Sequence, residues 1–330
     1  MSRNLNLVSP YAMVRDRWPG TPYGQQVLPG EWGPGRGLLR LTRRGRGNCV
    51  RVPFAEVLAE YRAFDRVHGV DPDAAAGLAR RALVYARKLR DTAPEPGLRE
   101  LGAWLVDHLA TTPVAVWPPG RDWELPFTVG GGIVWPHLLC ADTSEAAQTL
   151  VHEMVHVAQA QLDQLPLFGQ WMDANVVRRF GYVRLDGIPV GRPACDWLND
   201  YRAQNHTTES DSEPEPTWWT HAIQNPDTLG IPYGVRVRDG DGDPTLYLPW
   251  LARAGGGTRM TTWMLPLAWH HALGRHYIAK REPIDGGLPG PHAALLARFG
   301  GCHQFDHPHE IAAHHVVDFL RGKSTGDTQK

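Results

Sequence analysis

One five-residue stretch, His152-Glu153-Met154-Val155-His156, constrains this chain more than any other. It lies in a segment, from Ser144 to about Leu162, that reads as a helix. Asp142-Thr143-Ser144-Glu145 supplies a capping hydroxyl with a carboxylate close behind. Ala146, Ala147, Leu150, Val151, Met154, Val155 and Ala158 form an apolar stripe, and neither Gly nor Pro interrupts before Pro166. Residues four apart share a helical face, so both imidazoles can reach one divalent ion. Glu153 then stands beside that ion, placed to act as a general base on a bound water rather than to ligate. With 16 His and 13 Glu among 330 residues, chance gives about 0.03 such patterns per chain. The competing reading is two ordinary histidines on a scaffold helix.

Composition sets the frame around this motif. Hydrophobic residues make up 42% and charged residues 21%, enough for a packed core, and the net charge is -1. A general polyanion binder should be basic, so no nucleic-acid partner is expected. The one basic stretch, Arg36–Arg51, reads better as a solvated strand pair than as a phosphate site. Cys49, Cys140, Cys195 and Cys302 are far apart and form no CxxC pair, which fits buried thiols in a reducing compartment. Met1–Pro10 has no apolar signal region, and no window is long and apolar enough for a membrane span. The expectation is a cytoplasmic protein without a membrane partner.

Three regions follow from the pattern. Residues 1–50 form a Gly/Pro/Arg-rich N-terminal segment. Residues 51–112 form a helical scaffold, with a first helix from Pro53, a second opened by Asp71-Pro72 and a third over about Leu98–Leu109. The second helix should bury Leu78, Leu83, Val84 and Leu89 and stop at Pro94 and Pro96; the third should bury Leu101, Leu105 and Leu109. Residues 113–330 form the catalytic region, with a long insertion at about 164–300. Strands are expected at Val114–Trp117 and Gly132–Cys140, and a hairpin arm at Val235–Asp243, whose Asp-Gly steps are turn chemistry rather than a calcium loop. The acidic run 205–216 reads as a surface loop, and a last helix runs from near Pro308 to Leu320.

The segment Thr149–Gln159 (TLVHEMVHVAQ) closely resembles the active-site helix of zincin metallopeptidases. A catalytic zinc takes three protein ligands and keeps a position for water, so a third ligand is needed. The metzincin extension would require Gly at 159 and His or Asp at 162; the chain has Gln159 and Leu162. The SprT-like pattern would want His at Phe168. The resemblance therefore narrows to the gluzincin type, in which a second helix contributes a glutamate, often with a small residue three positions on. Glu310, in His307-Pro308-His309-Glu310-Ile311-Ala312-Ala313-His314, fits that role, with Ala313 as the small residue. The alternative for Glu310 is a carboxylate stabilising the positive end of a helix. His314, one turn beyond Glu310, could hold a ligand or a developing oxyanion, and Tyr233 could polarise a substrate carbonyl. Asn225-Pro226-Asp227 and the Trp- and His-rich stretch from Trp250 to His276 are either site elements or turn and packing residues.

The resemblance implies an α+β, zincin-like fold. A helical N-terminal region packs on a small mixed or antiparallel sheet, whose edge flanks the metal helix, and a second metal-ligand helix is C-terminal. It implies a Zn2+-dependent peptidase acting on a peptide or protein, with His152, His156 and Glu310 as ligands and Glu153 as base. Two other readings stay open. One is an iron-dependent enzyme that modifies a peptide or small molecule with oxygen. The other is a non-catalytic binding or toxin-like module with a closed structural metal.

Overall fold

The computed structural model describes residues 5–17, 38–41, 49–52, 71–117, 126–129, 131–136, 142–184, 233–237, 245–254, 257–270, 275–278, 282–283 and 307–322. The helix expected from Pro53, the acidic run 205–216 and Asn225-Pro226-Asp227 lie outside these residues. So do the side chains of Arg36–Arg51 and of the Trp250–His276 stretch.

Two layers position the site. One is a mixed four-stranded sheet, in which β1 (Asn6–Val8), β4 (Pro113–Trp117) and β6 (Gly132–Pro136) run parallel and β5 (Phe127–Val129) lies antiparallel at the edge beyond β6. Val114, Val116, Ile133 and Trp135 are buried, as expected for parallel strands covered by helices. The other layer is helical: α2 (Pro72–Thr92), α3 (Pro96–His108), α4 (Ser144–Gln159), α5 (Pro166–Met172) and α6 (Pro308–Leu320), preceded in the chain by the short α1 (Pro10–Arg17). The Arg-rich stretch contains an antiparallel strand pair, β2 (Leu38–Leu41) and β3 (Cys49–Val52).

The insertion carries a structure the sequence reading did not foresee. Strands β7 (Tyr182–Arg184), β8 (Tyr233–Val237), β9 (Thr245–Ala254), β10 (Gly257–His270), β11 (Arg275–Ile278) and β12 (Glu282–Pro283) pair antiparallel into a second sheet. The hairpin arm expected at Val235 is β8, paired with β9. Tyr182 and Val235 join the main core. Among the described residues, no helix is long and apolar enough to cross a membrane.

The helices form where the caps direct. Asp71 accepts a hydrogen bond from the Asp73 N–H and Pro72 opens α2. Pro96 does not merely end α2; it opens α3, because a first-turn residue needs no N–H donor. Thr143 Oγ1 accepts from Ala146 N at 3.1 Å and starts α4. The Glu100 carboxylate on α3 accepts from Phe168 N at 2.8 Å and so caps α5. α4 ends at Gln159, three residues earlier than expected, and the chain tightens into a 3₁₀ turn at Leu162–Gln164.

One buried stripe differs from expectation. Val84 is 62% exposed and Leu83 only partly buried; α2 instead buries Ala75, Leu78, Ala79, Ala82, Ala86 and Leu89. Those positions keep the three-and-four spacing of one helical face, whereas Val84 falls off it. The alanines allow close approach, and the closest is at Gly102 of α3, where an added Cβ would stand 2.7 Å from Arg90 Cα. Gly102→Ala is expected to cost about 1–3 kcal/mol in urea unfolding through overpacking; a loss below about 0.5 kcal/mol, within the scatter of surface substitutions, would contradict this crossing.

Candidate metal centre

α4 and α6 pack antiparallel, and the polar residues of each helix meet along the seam. His152 and His156 are one turn apart on α4, and Glu310 is in the first turn of α6. His152 Nε2 and His156 Nε2 are 3.1 Å apart, and Glu310 Oε2 lies 3.4 Å from the first and 3.5 Å from the second. Two donors each about 2.1 Å from a tetrahedral ion stand about 3.4 Å apart. The triangle of these three atoms has a circumradius of about 1.9 Å, so a point about 2.1 Å from all three lies roughly 0.8 Å off its plane. The three side chains form a group able to hold a metal ion. Glu310 thus stands with the two rings instead of serving only the helix end, where the His307 ring is the cap, accepting from His309 N at 3.1 Å.

Burial is uneven around the triangle. His156 and Glu310 are sealed, while the His152 side chain keeps 14% of its surface open. Of the three side chains, His152 is the one that meets solvent. Burial alone would push the Glu310 carboxyl up; the His156 charge and the hydrogen bonds from both rings outweigh it and hold it well below the usual carboxylate range. Burial pushes the His152 ring down, the His156 charge adds to this, and Glu310 opposes it. The buried Glu310 carboxylate lies against both imidazole nitrogens, a donor set suited to a divalent cation.

The flanking groups fix the ligands. His156 Nδ1 donates to Gln159 Oε1 at 2.8 Å, which turns the Nε2 lone pair toward the triangle. Gln159 Nε2 in turn donates to the His309 carbonyl at 2.9 Å. One buried amide therefore orients a ligand ring and ties the start of α6 to the end of α4. Glu153 is buried against the sheet edge, where the Thr128 hydroxyl of β5 lies 3.0 Å from its backbone oxygen and 3.2 Å from its Oε2.

His314 is half-buried on the same face of α6 as Glu310, its ring edge-on to His152 with centroids 4.9 Å apart, and burial and the His152 charge push it down to about 4. Tyr233 lies on β8 with its ring edge-on to His307, centroids 5.0 Å apart, one turn of chain before Glu310. His315 faces the other way, toward Trp171 and Phe180. Asp173 is paired with Arg178 at 2.7 Å, away from the triangle.

Gln159 and Thr128 escaped the sequence reading. Gln159 entered it only as a departure from the metzincin pattern, although its place three residues after His156 puts it on the ligand face. Gln159→Leu is expected to weaken divalent-metal affinity about 10- to 100-fold in competition with a chromogenic chelator. Unchanged affinity would remove the amide from the centre. In comparisons with protein-family models, curated proteins and solved structures, the chain matches none.

Proposed function

We propose that the protein is a zinc-dependent metallohydrolase of gluzincin-like, zincin-type architecture that cleaves an amide bond, most simply a peptide bond. The observation that carries this reading is the triangle of two imidazoles and one carboxylate, sealed on the His156 and Glu310 side and open at His152. A structural zinc would be closed by a fourth protein donor; among the described residues the cluster holds three. Its donors would hold zinc, which when bound lowers the pKa of a water to near 7 and polarises a carbonyl.

The chain's own groups then divide the work. Glu153 takes the proton of the attacking water and passes it to the leaving amine. Thr128 holds that carboxylate against β5, the edge strand, whose outer side has no strand partner among the described residues. An extended peptide can lie along such an edge and present its carbonyl beside the general base. His314, neutral at pH 7 and beside His152, is suited to steady the developing oxyanion. Tyr233, one packing layer further back against His307, is the alternative for that task.

Two histidines with one carboxylate also suit iron(II) and oxygen chemistry. Metal content separates the readings: stoichiometric zinc supports hydrolysis, whereas iron with oxygen uptake establishes oxidation in its place. For the zinc protein, Glu153→Gln is expected to keep the metal and lower hydrolysis of an unstructured protein such as casein about 10²- to 10⁴-fold. His156→Ala is expected to lose the metal itself. Undiminished hydrolysis by a zinc-loaded Glu153→Gln protein would defeat the proposal.

A further inference from the structure

Two amides cross the seam between α4 and α6. At its exposed end, Gln148 Oε1 accepts from Arg321 Nε at 2.8 Å. At its buried end, Gln159 runs from His156 to the His309 carbonyl. His309 is held on both sides by its backbone. Its N–H donates to His307 Nδ1 at 3.1 Å, and its carbonyl accepts from Gln159 Nε2 at 2.9 Å. It also directly precedes Glu310 in the chain. A shift of His309 therefore moves one metal-holding side chain and, through the amide, turns another, His156.

His307 does more than its place in the helix requires. It is the N-cap of α6, where a short Ser, Asp or Asn side chain would satisfy the helix end as well. What a ring adds is reach. The fully buried His307 stands edge-on to Tyr233, centroids 5.0 Å apart with the planes at 89°, and edge-on to His309, centroids 4.5 Å apart at 81°. Tyr233 in turn stands edge-on to Tyr182, centroids 6.2 Å apart at 88°. Tyr182 and Tyr233 lie on β7 and β8, which pair antiparallel with Arg184 opposite Tyr233. A column of four rings thus runs from the first two strands of the insertion sheet to the first turn of α6. Edge-to-face contacts are directional, so such a column sets orientation as well as distance. A short cap at 307 would keep the helix start and break the column.

We infer that His307 is a positioning residue of the metal centre, whose ring couples the insertion sheet, through His309 and Gln159, to the orientation of His156. This rests on the reading of the triangle as a metal centre, given above, and adds the element that holds its geometry.

The test loads the full chain with cobalt(II), whose visible absorption reports the arrangement of the ligands, and measures affinity in competition with a chelator. His307→Asn keeps a capping oxygen and removes the ring. It is expected to keep the far-ultraviolet helix signal, change the cobalt spectrum and lower affinity about tenfold, as loss of a group behind a metal-bound histidine does. Tyr233→Leu leaves the cap in place and breaks the column one ring further out. It is expected to change the spectrum in the same sense. The two substitutions together are expected to lower affinity by less than the product of their separate effects, because both break one path. Parent-like spectrum and affinity in His307→Asn would make the residue a helix cap alone and overturn the proposal. A parent-like Tyr233→Leu protein overturns the coupling to the sheet, whether or not His307→Asn folds. A chain that binds metal without hydrolysing casein sinks the hydrolase reading and leaves this coupling standing. Failure of the parent chain to bind cobalt or zinc removes the metal centre, and this proposal with it.

Discussion

The docking of the last helix against the motif helix is the contact on which the centre depends. It brings a carboxylate to two imidazoles from 154 positions further along the chain, and it does so in a buried place. An ionised carboxylate out of water is costly unless something returns the lost solvation. Here the neighbours are two imidazole rings, and burial disposes His152 and the adjoining His314 to be neutral. A seam assembled only for stability would carry leucines at these positions, because replacing buried ionic groups with packed apolar ones is often neutral or favourable. The polar arrangement therefore suits a cation, and the Gln159 amide braces it, its acceptor used on His156 and its donor on the His309 carbonyl.

The scaffold explains how so polar a seam is held still. α4 is buried along most of its length and is flanked by α2, α3 and the sheet. Ala and Gly on α2 and α3 let those helices approach closely, and the Glu100 cap fixes α5, on whose side His315 of α6 rests against Trp171. α6 is thus gripped on both faces, apolar and aromatic on one, polar on the other. Its position is over-determined, which a metal ligand needs, because a displacement of half an ångström changes a coordination sphere.

How much of this was legible in the sequence follows from the range of the interactions. His152 and His156 share a helical turn, so their meeting is a local fact that spacing alone expresses. The caps at Asp71 and Thr143 and the first-turn prolines at 72 and 308 are local as well, and those helices begin where the signals put them, whereas Pro96, expected only to stop a helix, also opens the next. Glu310 could be nominated only by resemblance, because nothing near it in the chain says what it faces. Val84 was misassigned because a run of apolar residues on α2 offers two overlapping stripes, and the choice between them is made by how closely a neighbour can approach. Gln159 and Gln148 were illegible for a related reason: an amide reads as a polar surface residue until the partner helix supplies a ring, a carbonyl or a guanidinium for it.

The gradient along the seam gives the site a direction. Among the three residues of the triangle, His152 alone meets solvent, since His156 and Glu310 are closed to it. Along the same seam His314 is half-buried and Arg321 is exposed, and the edge strand lies beside Glu153. A guanidinium at the rim remains well hydrated and costs little desolvation, while the His314 imidazole and the buried carboxylates lie deeper, where a low dielectric strengthens each interaction. On the hydrolase reading proposed above, that separation keeps the general base and the metal-holding side chains in the low-dielectric interior, where their interactions are strongest.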